Sequence, residues 1–296
     1  MSILFAWLLD AALGEPPAAF HPVIWLGRYL RFARRFNRRT VLSGFWCWLG
    51  GALLVVGGAT GLQWGLARLP FLAALILTAV CLKPLFAWHA LRGAALAVLD
   101  APDLPAARKA LGWHLVSRDT SDLSAAEVYG ATIESVAENL SDSVVAPLFF
   151  FLIGGLPLAA LYRYANTADA LWGYRTPELQ RFGTVAARVD DLLNAIPSRL
   201  TALWLIGICP LAGLSAGQAW RLWQRDASLT PSPNAGQPMS AAAGALGVQL
   251  SKRDVYRLGA DLREPAAEDV RRALGLAAAA AWSFVLVAAT IQLVIT

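Results

Sequence analysis

Four stretches of the sequence contain no Asp, Glu, Lys or Arg and are long enough to cross a membrane. They cover residues 40–67, 143–162, 200–220 and 273–296, and a shorter one covers 69–82. A helix needs roughly 20 apolar residues to span the hydrocarbon core of a bilayer. The chain is 57% hydrophobic and only 15% charged, a balance that water-soluble domains of this length rarely reach. The sequence therefore predicts an all-α, polytopic integral membrane protein.

A single domain is expected over residues 1–296, because no internal repeat, low-complexity tail or long linker divides the chain. Residues 1–14 are apolar, but Asp10 interrupts them and no basic residues precede them. We therefore do not interpret them as a cleaved signal. The three cysteines lie inside apolar stretches without metal-ligand spacing, so they predict neither a disulfide nor a zinc site.

A cluster of arginines comes just before the first apolar stretch. It consists of Arg28, Arg31, Arg34, Arg35, Arg38 and Arg39. Basic residues that flank a membrane segment mark its cytoplasmic end. We therefore expect this end of the segment to lie in the cytoplasm. A nucleic-acid-binding patch is the rival interpretation, but a basic cluster beside a span is the usual topogenic pattern, so no nucleic-acid partner is expected.

Three polar regions are also rich in Lys and Arg: residues 83–142, 163–199 and 221–272. If all three are cytoplasmic, residues 143–162 and 200–220 cannot each cross the membrane once. Residues that break helices interrupt both stretches, which favours re-entrant or kinked helices and cytoplasmic helical loops beside the transmembrane helices. These residues are Pro147, Gly154, Gly155 and Pro157 in the first stretch, and Gly207 and Pro210 in the second. The alternative, in which both stretches cross and one polar region faces the periplasm, stays open.

A capping box predicts a helix ahead of the second stretch. Ser124 and Glu127 have the S-x-x-E spacing, and the helix is expected to run to about residue 140. It carries Glu134 and Glu138, and Asp142 follows at the same step of four. At 3.6 residues per turn these three acids form one stripe.

The acidic stripe predicts a metal site. Like charges four residues apart repel by roughly 0.2–0.5 kcal/mol per pair, and a bound cation would offset that repulsion. Carboxylates are hard oxygen ligands that suit Mg²⁺ carrying substrate phosphates, and the Asn139 amide lies beside them. We predict that Glu134, Glu138 and Asp142 bind Mg²⁺. An ordinary solvated helix face is the alternative.

Two further motifs combine charged and hydrogen-bonding groups. In "SRDTS", Arg118, Asp119 and Thr120 stand where we expect a helix to start, which favours an anion site. An ordinary helix cap with a salt bridge is the alternative.

Polar stripes on two later helices, at 162–175 and 182–200, are unexpected beside apolar spans. Ionisable groups at membrane depth are costly and usually functional, although structural pairing between helices is the alternative. The polar residues are Asn166, Asp169, Asp190 and Asn194, with Arg188, Asp191 and Arg199 around them.

Several of these blocks together resemble one family, the adenosylcobinamide-phosphate synthases, which are the CobD/CbiB membrane enzymes of cobalamin biosynthesis. The blocks lie in order along nearly the whole chain. They are "LLDAALGEPPAAFHPVIWLGR", "SRDTSDL", "IESVAENLSDSVVAPLF", "NTADALWGYR", "FGTVAARVDDLLNAIPSRLTA" and "SPNAGQPMSAAAGALGV". The chain departs from the family pattern at Arg163, usually Lys, at Ala170, where a Ser is lost, and at Ser143, which replaces a Gly. A role for a hydroxyl at position 170 is therefore in doubt.

The resemblance implies an ATP-dependent ligase. A propionate carboxylate of adenosylcobyric acid would be joined through an amide to (R)-1-amino-2-propanol O-phosphate or a close analogue. The corrinoid would be a substrate, ATP a co-substrate and Mg²⁺ a cofactor. The resemblance also implies a multi-pass protein of the bacterial cytoplasmic (inner) membrane, with its active face in the cytoplasm. The lipid bilayer is an expected partner, and the resemblance leaves open an oligomer and association with other cobalamin-assembly enzymes.

Residue chemistry suggests a role for each polar group, although the family name assigns none. We hypothesise that Glu134, Glu138, Asp190 and Asp191 are catalytic. The expected substrate-binding residues are Arg118, Asp119, Thr120, Asn139, Asn166, Asp169, Arg175, Arg188, Asn194 and Asn234.

Two other functions stay open. One is a membrane transporter of corrinoids or other anions, suggested by broken helices and intramembrane charge. The other is a non-enzymatic membrane signalling modulator.

Overall fold

The computed structural model describes residues 1–295, which form twelve α-helices and one short β-hairpin. The helices are α1 (Ser2–Leu13), α2 (Pro22–Ala33), α3 (Val41–Leu66), α4 (Phe71–Leu82), α5 (Trp88–Leu99), α6 (Leu104–His114), α7 (Ala125–Leu140), α8 (Ala146–Trp172), α9 (Thr184–Ile208), α10 (Ala216–Asp226), α11 (Gly236–Leu246) and α12 (Ala267–Ile295). The strands are β1 (Leu250–Lys252) and β2 (Tyr256–Leu258). The predicted all-α class is confirmed.

Within the described residues, five helical segments are long and apolar enough to cross a membrane. They are Val41–Leu66, Phe71–Leu99, Ala125–Trp172, Thr184–Ala212 and Ala267–Ile295. The protein is therefore a multi-pass membrane protein, as the charge-free stretches predict. The number of true crossings and the side that each polar region faces stay predictions.

The chain divides into two compact units. Unit 1 contains Met1–Ala87, Ala146–Asn194 and Val285–Thr296, and unit 2 contains Trp88–Val145 and Ala195–Phe284. Each unit combines segments that are distant in the sequence, so contacts between distant segments hold each unit together. The expectation of a single domain over residues 1–296 stays a prediction.

In unit 1, close contacts at small residues bring α3 against α8 and the chain that follows it. The Tyr164 hydroxyl donates to the carbonyl of Trp48 at 2.9 Å. Gly51 lies against the rings of Tyr164 and Tyr29, and Gly44 lies against the carbonyl of Phe182, so a Cβ at either glycine would collide with these groups. The core around this contact is apolar. It contains Leu30, Ala33, Ala52, Tyr164, Ala168, Trp172, Leu179, Phe182 and Ala186.

The sequence correctly predicts a break in the apolar stretch 143–162. Gly154 and Gly155 leave helical geometry inside α8, and Gly155 has φ 63° and ψ −153°, a conformation that essentially only glycine adopts. The break frees a backbone N–H at Leu156, which donates to Oε1 of Gln63 at 2.8 Å. A side chain of α3 thus satisfies the backbone of the broken helix, as an apolar environment requires.

The predicted break in residues 200–220 appears at Pro210 but not at Gly207, and a re-entrant course for this segment stays a prediction. Helix α9 ends at Ile208, a 3₁₀ turn covers Cys209–Ala212, and Gly213 adopts the left-handed conformation at φ 66°. Pro210 lies in that turn, and the amphipathic α10 then forms a separate helix from Ala216. Gly207 does not break the helix. Pro210 and Gly213 end the apolar segment because neither continues an α-helix readily.

In unit 2, the predicted capping box is present at the start of α7. The Ser124 Oγ accepts from the Glu127 N–H at 3.2 Å, and the Glu127 carboxylate accepts from the Ser124 N–H at 2.7 Å. Helix α7 ends at Leu140, as predicted. A π-helical turn, Ser141–Val145, follows it and leads directly into α8. A turn separates α5 from α6 at the start of "APDLP", residues 101–105, as its Pro and Asp favour.

The β-hairpin is a feature of unit 2 that sequence patterns do not predict. Its antiparallel register pairs Leu250 with Leu258 and Lys252 with Tyr256. Side chains alternate between the two faces of a strand, so all four residues share one face. Because Leu250 and Leu258 are fully buried, this face points towards the interior of the unit and carries Lys252 and Tyr256 with it.

Candidate functional site

Helix α7 places two of the predicted acids together in unit 2. Glu134 is buried, with a side chain only 7% exposed, and Glu138 lies one turn further along the same face, partly buried. The Arg118 Nη2 lies 3.9 Å from Oε2 of Glu134. The other oxygen of Glu134, Oε1, is buried and has no hydrogen-bond partner among the described residues. We call Glu134 and Glu138 the acid pair.

The hairpin adds two groups to the acid pair that the sequence analysis misses. Tyr256 interacts with the carboxylate of Glu134, and Lys252 lies within electrostatic range of both acids. Burial and the neighbouring charges of Glu134 and Glu138 raise the pKa of Tyr256 well above its ordinary value. The phenol is therefore neutral at physiological pH and keeps its proton as a hydrogen-bond donor. Two basic groups and one phenol surround the two carboxylates.

The predicted three-acid metal site is not preassembled. Among residues 1–295, no group of three or more His, Cys, Asp or Glu side chains could hold a metal ion. Asp142 lies in the π-helical turn, where the α-helical spacing that would align it with Glu138 no longer applies. Mg²⁺ is often bound by one or two carboxylates together with water and substrate phosphates. The Mg²⁺ site stays a prediction, with Glu134 and Glu138 as its strongest protein ligands.

The expectation that "SRDTS" opens a helix is wrong, because the segment forms a loop and α7 begins only at Ala125. Asp119 is exposed and accepts from the N–H of Ser121 at 2.9 Å, a hydrogen bond that lowers the pKa of Asp119. The Thr120 hydroxyl donates to the carbonyl of Arg108 at 2.9 Å. Arg118 is therefore the member of this motif whose charge is directed to the acid pair.

Asn139 and Asn234, the other two predicted binding residues of unit 2, have partners within the unit. The Asn139 amide donates to the carbonyl of Ser135 at 2.9 Å. Asn234 is buried, and its Oδ1 accepts from Ser198 and from Arg199, each at 3.3 Å. Its loop, "SPNAG", forms the tight turn that its Pro, Asn and Gly predict.

Unit 1 brings the other predicted residues into an asparagine–aspartate cluster between α8 and α9, made of Asn166, Asp169, Asp190, Asp191 and Asn194. Asp190 accepts from the Asn166 amide at 3.3 Å and from the Asn194 amide at 3.0 Å. The Tyr162 hydroxyl donates to Oδ1 of Asn194 at 2.8 Å. These side chains hold Asp190 in a fixed orientation.

Several charged groups lie within this cluster and at its edge. Asp169 and Asp191 both lie within electrostatic range of Asp190. Arg188 and Arg175, both exposed, lie within electrostatic range of Asp191. Three carboxylates thus lie close together with two exposed cations at the rim, so the predicted polar stripes do meet. The cluster can accept protons or hydrogen bonds from a polar ligand.

A second buried ionic group in unit 1 was not predicted. Lys83 Nζ lies 3.3 Å from Oδ1 of Asp10 and 3.0 Å from Oε2 of Glu15, and His21 Nε2 lies 3.0 Å from the same Glu15 oxygen. Asp10, Glu15 and His21 belong to the first block of the resemblance, and Lys83 follows α4. Burial alone would raise the pKa of Glu15, but the hydrogen bonds with His21 and Lys83 hold it below its usual value. Only the opposite charges in the sequence could have suggested this contact.

Comparison with known proteins gives the family. The family model described as "CobD/Cbib protein" matches residues 3–277. The chain belongs to the CobD/CbiB family. The cobalamin biosynthesis protein CobD of Geobacter metallireducens is 42% identical to it over 290 residues, which cover 95% of this chain and 89% of that protein. The resemblance inferred from the sequence blocks is confirmed.

Other members of the family are similar over the same extent. The protein of the same name from Chromobacterium violaceum is 43% identical over 94% of this chain and 91% of its own length. The probable cobalamin biosynthesis protein CobD of Methanothermobacter thermautotrophicus is 38% identical over 99% of this chain and 98% of its own length. No solved structure matches the chain.

Proposed function

We propose that this protein is an adenosylcobinamide-phosphate synthase of cobalamin biosynthesis. It would join a propionate carboxylate of adenosylcobyric acid to the amine of (R)-1-amino-2-propanol O-phosphate, or of a similar amino alcohol, through an amide bond. Membership of the CobD/CbiB family is the observation that carries the proposal. The two polar clusters support it, because apolar helices hold charged groups only where function or pairing requires them.

Amide formation from a free carboxylate is uphill in water, so the carboxylate must first be activated. In the proposed reaction the carboxylate attacks the γ-phosphate of ATP and releases ADP, which gives an acyl phosphate. The amine then attacks the acyl carbon, the C–O bond to phosphate breaks, and inorganic phosphate leaves. One proton is lost from the amine nitrogen in this second step.

The acid pair fits a Mg²⁺ ion that accompanies ATP. Glu134 offers a buried carboxylate oxygen without a hydrogen-bond partner among the described residues, and Glu138 lies next to it. A bound Mg²⁺ would neutralise charge on the transferred phosphoryl group. Arg118 would pair with a phosphate or carboxylate oxygen, since a guanidinium forms strong charge-assisted hydrogen bonds with such groups. The neutral Tyr256 would donate a hydrogen bond beside them.

The asparagine–aspartate cluster suits the amine side of the reaction. An amino alcohol arrives as an ammonium ion, and a carboxylate must take up its proton before nitrogen can attack. We assign this role to Asp190, which two asparagine amides orient. Asp191 would assist, while Asn166, Asp169 and Asn194 would hydrogen-bond polar groups of the substrate, and Arg175 and Arg188 would pair with its phosphate.

The proposal is tested with purified protein in nanodiscs. Adenosylcobyric acid, aminopropanol phosphate, ATP and Mg²⁺ are supplied, and corrinoid products are followed by mass. The expected product is adenosylcobinamide phosphate, and its formation should stop when either ATP or Mg²⁺ is left out. Product formation without ATP would overturn the ligase assignment. No product at all, with corrinoid still bound, would favour transport or signalling instead.

A further inference from the structure

An exposed basic surface of unit 1 is formed by α2 and the turn that follows it, residues 25–39. The helix buries one face and presents two exposed stripes beside each other. Trp25 and Phe32, 49% and 52% exposed, are seven residues apart and therefore lie on the same line. Arg28 and Arg31 are exposed on the adjoining line. The buried positions of the helix are Gly27, Leu30 and Ala33.

The arginines of this segment are almost free of counter-charges. Arg34 alone forms an ion pair among the described residues, with Glu178 at 3.0 Å. The guanidinium of Arg35, in the turn after α2, lies 5.6 Å from the ring centroid of Phe32. Basic and aromatic side chains therefore meet at this end of the surface. The remaining arginines expose their guanidinium groups without a carboxylate partner in the described chain. The surface thus offers several unpaired hydrogen-bond donors of one sign.

The segment is a built structure that leads straight into a candidate membrane helix. Asn37 accepts from the N–H of Arg39 at 2.6 Å and donates to the carbonyl of Glu178 at 3.0 Å, which fixes the turn. Helix α3 starts at Val41, and its Leu42 and Trp46 are 64% and 61% exposed. Arg38 and Arg39 directly precede this helix, so the basic segment ends where the apolar helix begins.

We propose that residues 25–39 form a binding surface for the head groups of anionic phospholipids. Exposed aromatic side chains beside basic ones are typical of a helix that lies in the membrane interface. A cluster of four to eight basic residues next to a membrane helix attracts anionic lipids. The guanidinium fork matches the oxygens of a lipid phosphate. This surface is independent of the proposed synthase reaction and does not need it.

The test measures lipid selectivity in native mass spectrometry, with the full-length protein released from bilayers of equal phosphatidylglycerol and phosphatidylcholine. The variant Arg28→Gln/Arg31→Gln/Arg35→Gln removes three positive charges from the surface. The control variant Lys109→Gln/Arg221→Gln/Arg257→Gln removes three charges from exposed residues elsewhere. A third variant replaces the same three surface arginines with lysine and keeps the charge.

Wild-type protein should retain phosphatidylglycerol over phosphatidylcholine, and the preference should weaken as salt is raised. The glutamine variant should lose at least about tenfold of this preference, since each basic residue at an anionic surface strengthens binding several-fold. The control and lysine variants should keep most of it. Equal retention of both lipids by the wild type, or an equal loss in the control variant, would overturn the proposal, as would co-purifying nucleic acid in place of anionic lipid.

Discussion

At the scale of single residues, the acid pair on α7 is the strongest candidate for the proposed Mg²⁺ site. Glu134 and Glu138 share a face of α7 and are held close together at low exposure, although like charges at this spacing repel. Arg118, Lys252 and Tyr256 offset part of that repulsion. A site that keeps two acids together in this way is suited to a dication.

Glu134→Gln should lower the rate of amide formation by roughly 10- to 100-fold and raise the Mg²⁺ concentration needed for half-maximal rate, because a metal ligand is lost. The matched control is Glu264→Gln, an exposed acid whose side chain forms no ion pair among the described residues. The measurement is a Mg²⁺ titration of the initial rate. Full activity with an unchanged Mg²⁺ dependence would remove Glu134 from the metal site.

Glu15 makes stability depend on pH. Its folded-state pKa is below the usual value, so its contribution is complete above the unfolded-state pKa, about 4.3, and is lost as pH falls through the folded pKa. The Tm of the wild type in detergent should therefore fall between about pH 5 and pH 3. Glu15→Gln should start from a lower Tm at pH 7 and show a shallower fall. A parallel pH profile in the two proteins would contradict the assignment, and Glu264→Gln serves as the control with the wild-type slope.

At the scale of elements, local signals in the sequence predict the start and end of α7, the break between α5 and α6, and the break at Gly154 and Gly155. Each of these depends on residues close together in the chain. The π-helical turn at Ser141 has no such signal. The hairpin is too short for a periodic pattern, so Lys252 and Tyr256 could not be placed beside α7. Their position depends on the pairing of Leu250 with Leu258 and on burial against the unit.

The break in α8 gives a prediction at this scale. Gly155→Ala should lower the Tm and the yield of folded protein, because the backbone conformation at φ 63° and ψ −153° is strained by about 1–3 kcal/mol for a non-glycine residue. The added Cβ would also collide with the side chain of Gln63. Gly207→Ala is the control, since it lies in regular helix with nothing near its Cβ, and it should be neutral or slightly stabilising. Equal effects of the two substitutions would argue against a required break.

At the scale of the whole molecule, the membrane class follows from composition, but the partners of the charged groups do not. Lys83 meets Asp10 and Glu15 across about 70 residues of sequence, and Asp190 meets Asn166 across a helix boundary. Such pairs depend on how the helices pack, which a single sequence does not encode in any local pattern. The sequence could name most of the polar residues of the two clusters, and it could not assign them to separate units.

Topology remains open to a direct measurement. Gln180 is exposed in the polar region between α8 and α9. In a variant without the native cysteines, Gln180→Cys should resist a membrane-impermeant thiol reagent added to intact cells and should react after the membrane is opened, because the basic residues of this region favour the cytoplasm. Labelling from outside intact cells would place the region in the periplasm and give residues 143–162 a full crossing.

The central claim, amide synthesis by carboxylate activation, is tested most directly by oxygen transfer. Adenosylcobyric acid with ¹⁸O at both oxygens of its reacting carboxylate is incubated with the protein, ATP, Mg²⁺ and aminopropanol phosphate, and both products are analysed by mass. The expected result is one ¹⁸O atom in the inorganic phosphate for each adenosylcobinamide phosphate formed, since the oxygen that bridges the acyl phosphate leaves with phosphate. Amide product with unlabelled phosphate, or ATP hydrolysis without amide product, would contradict it.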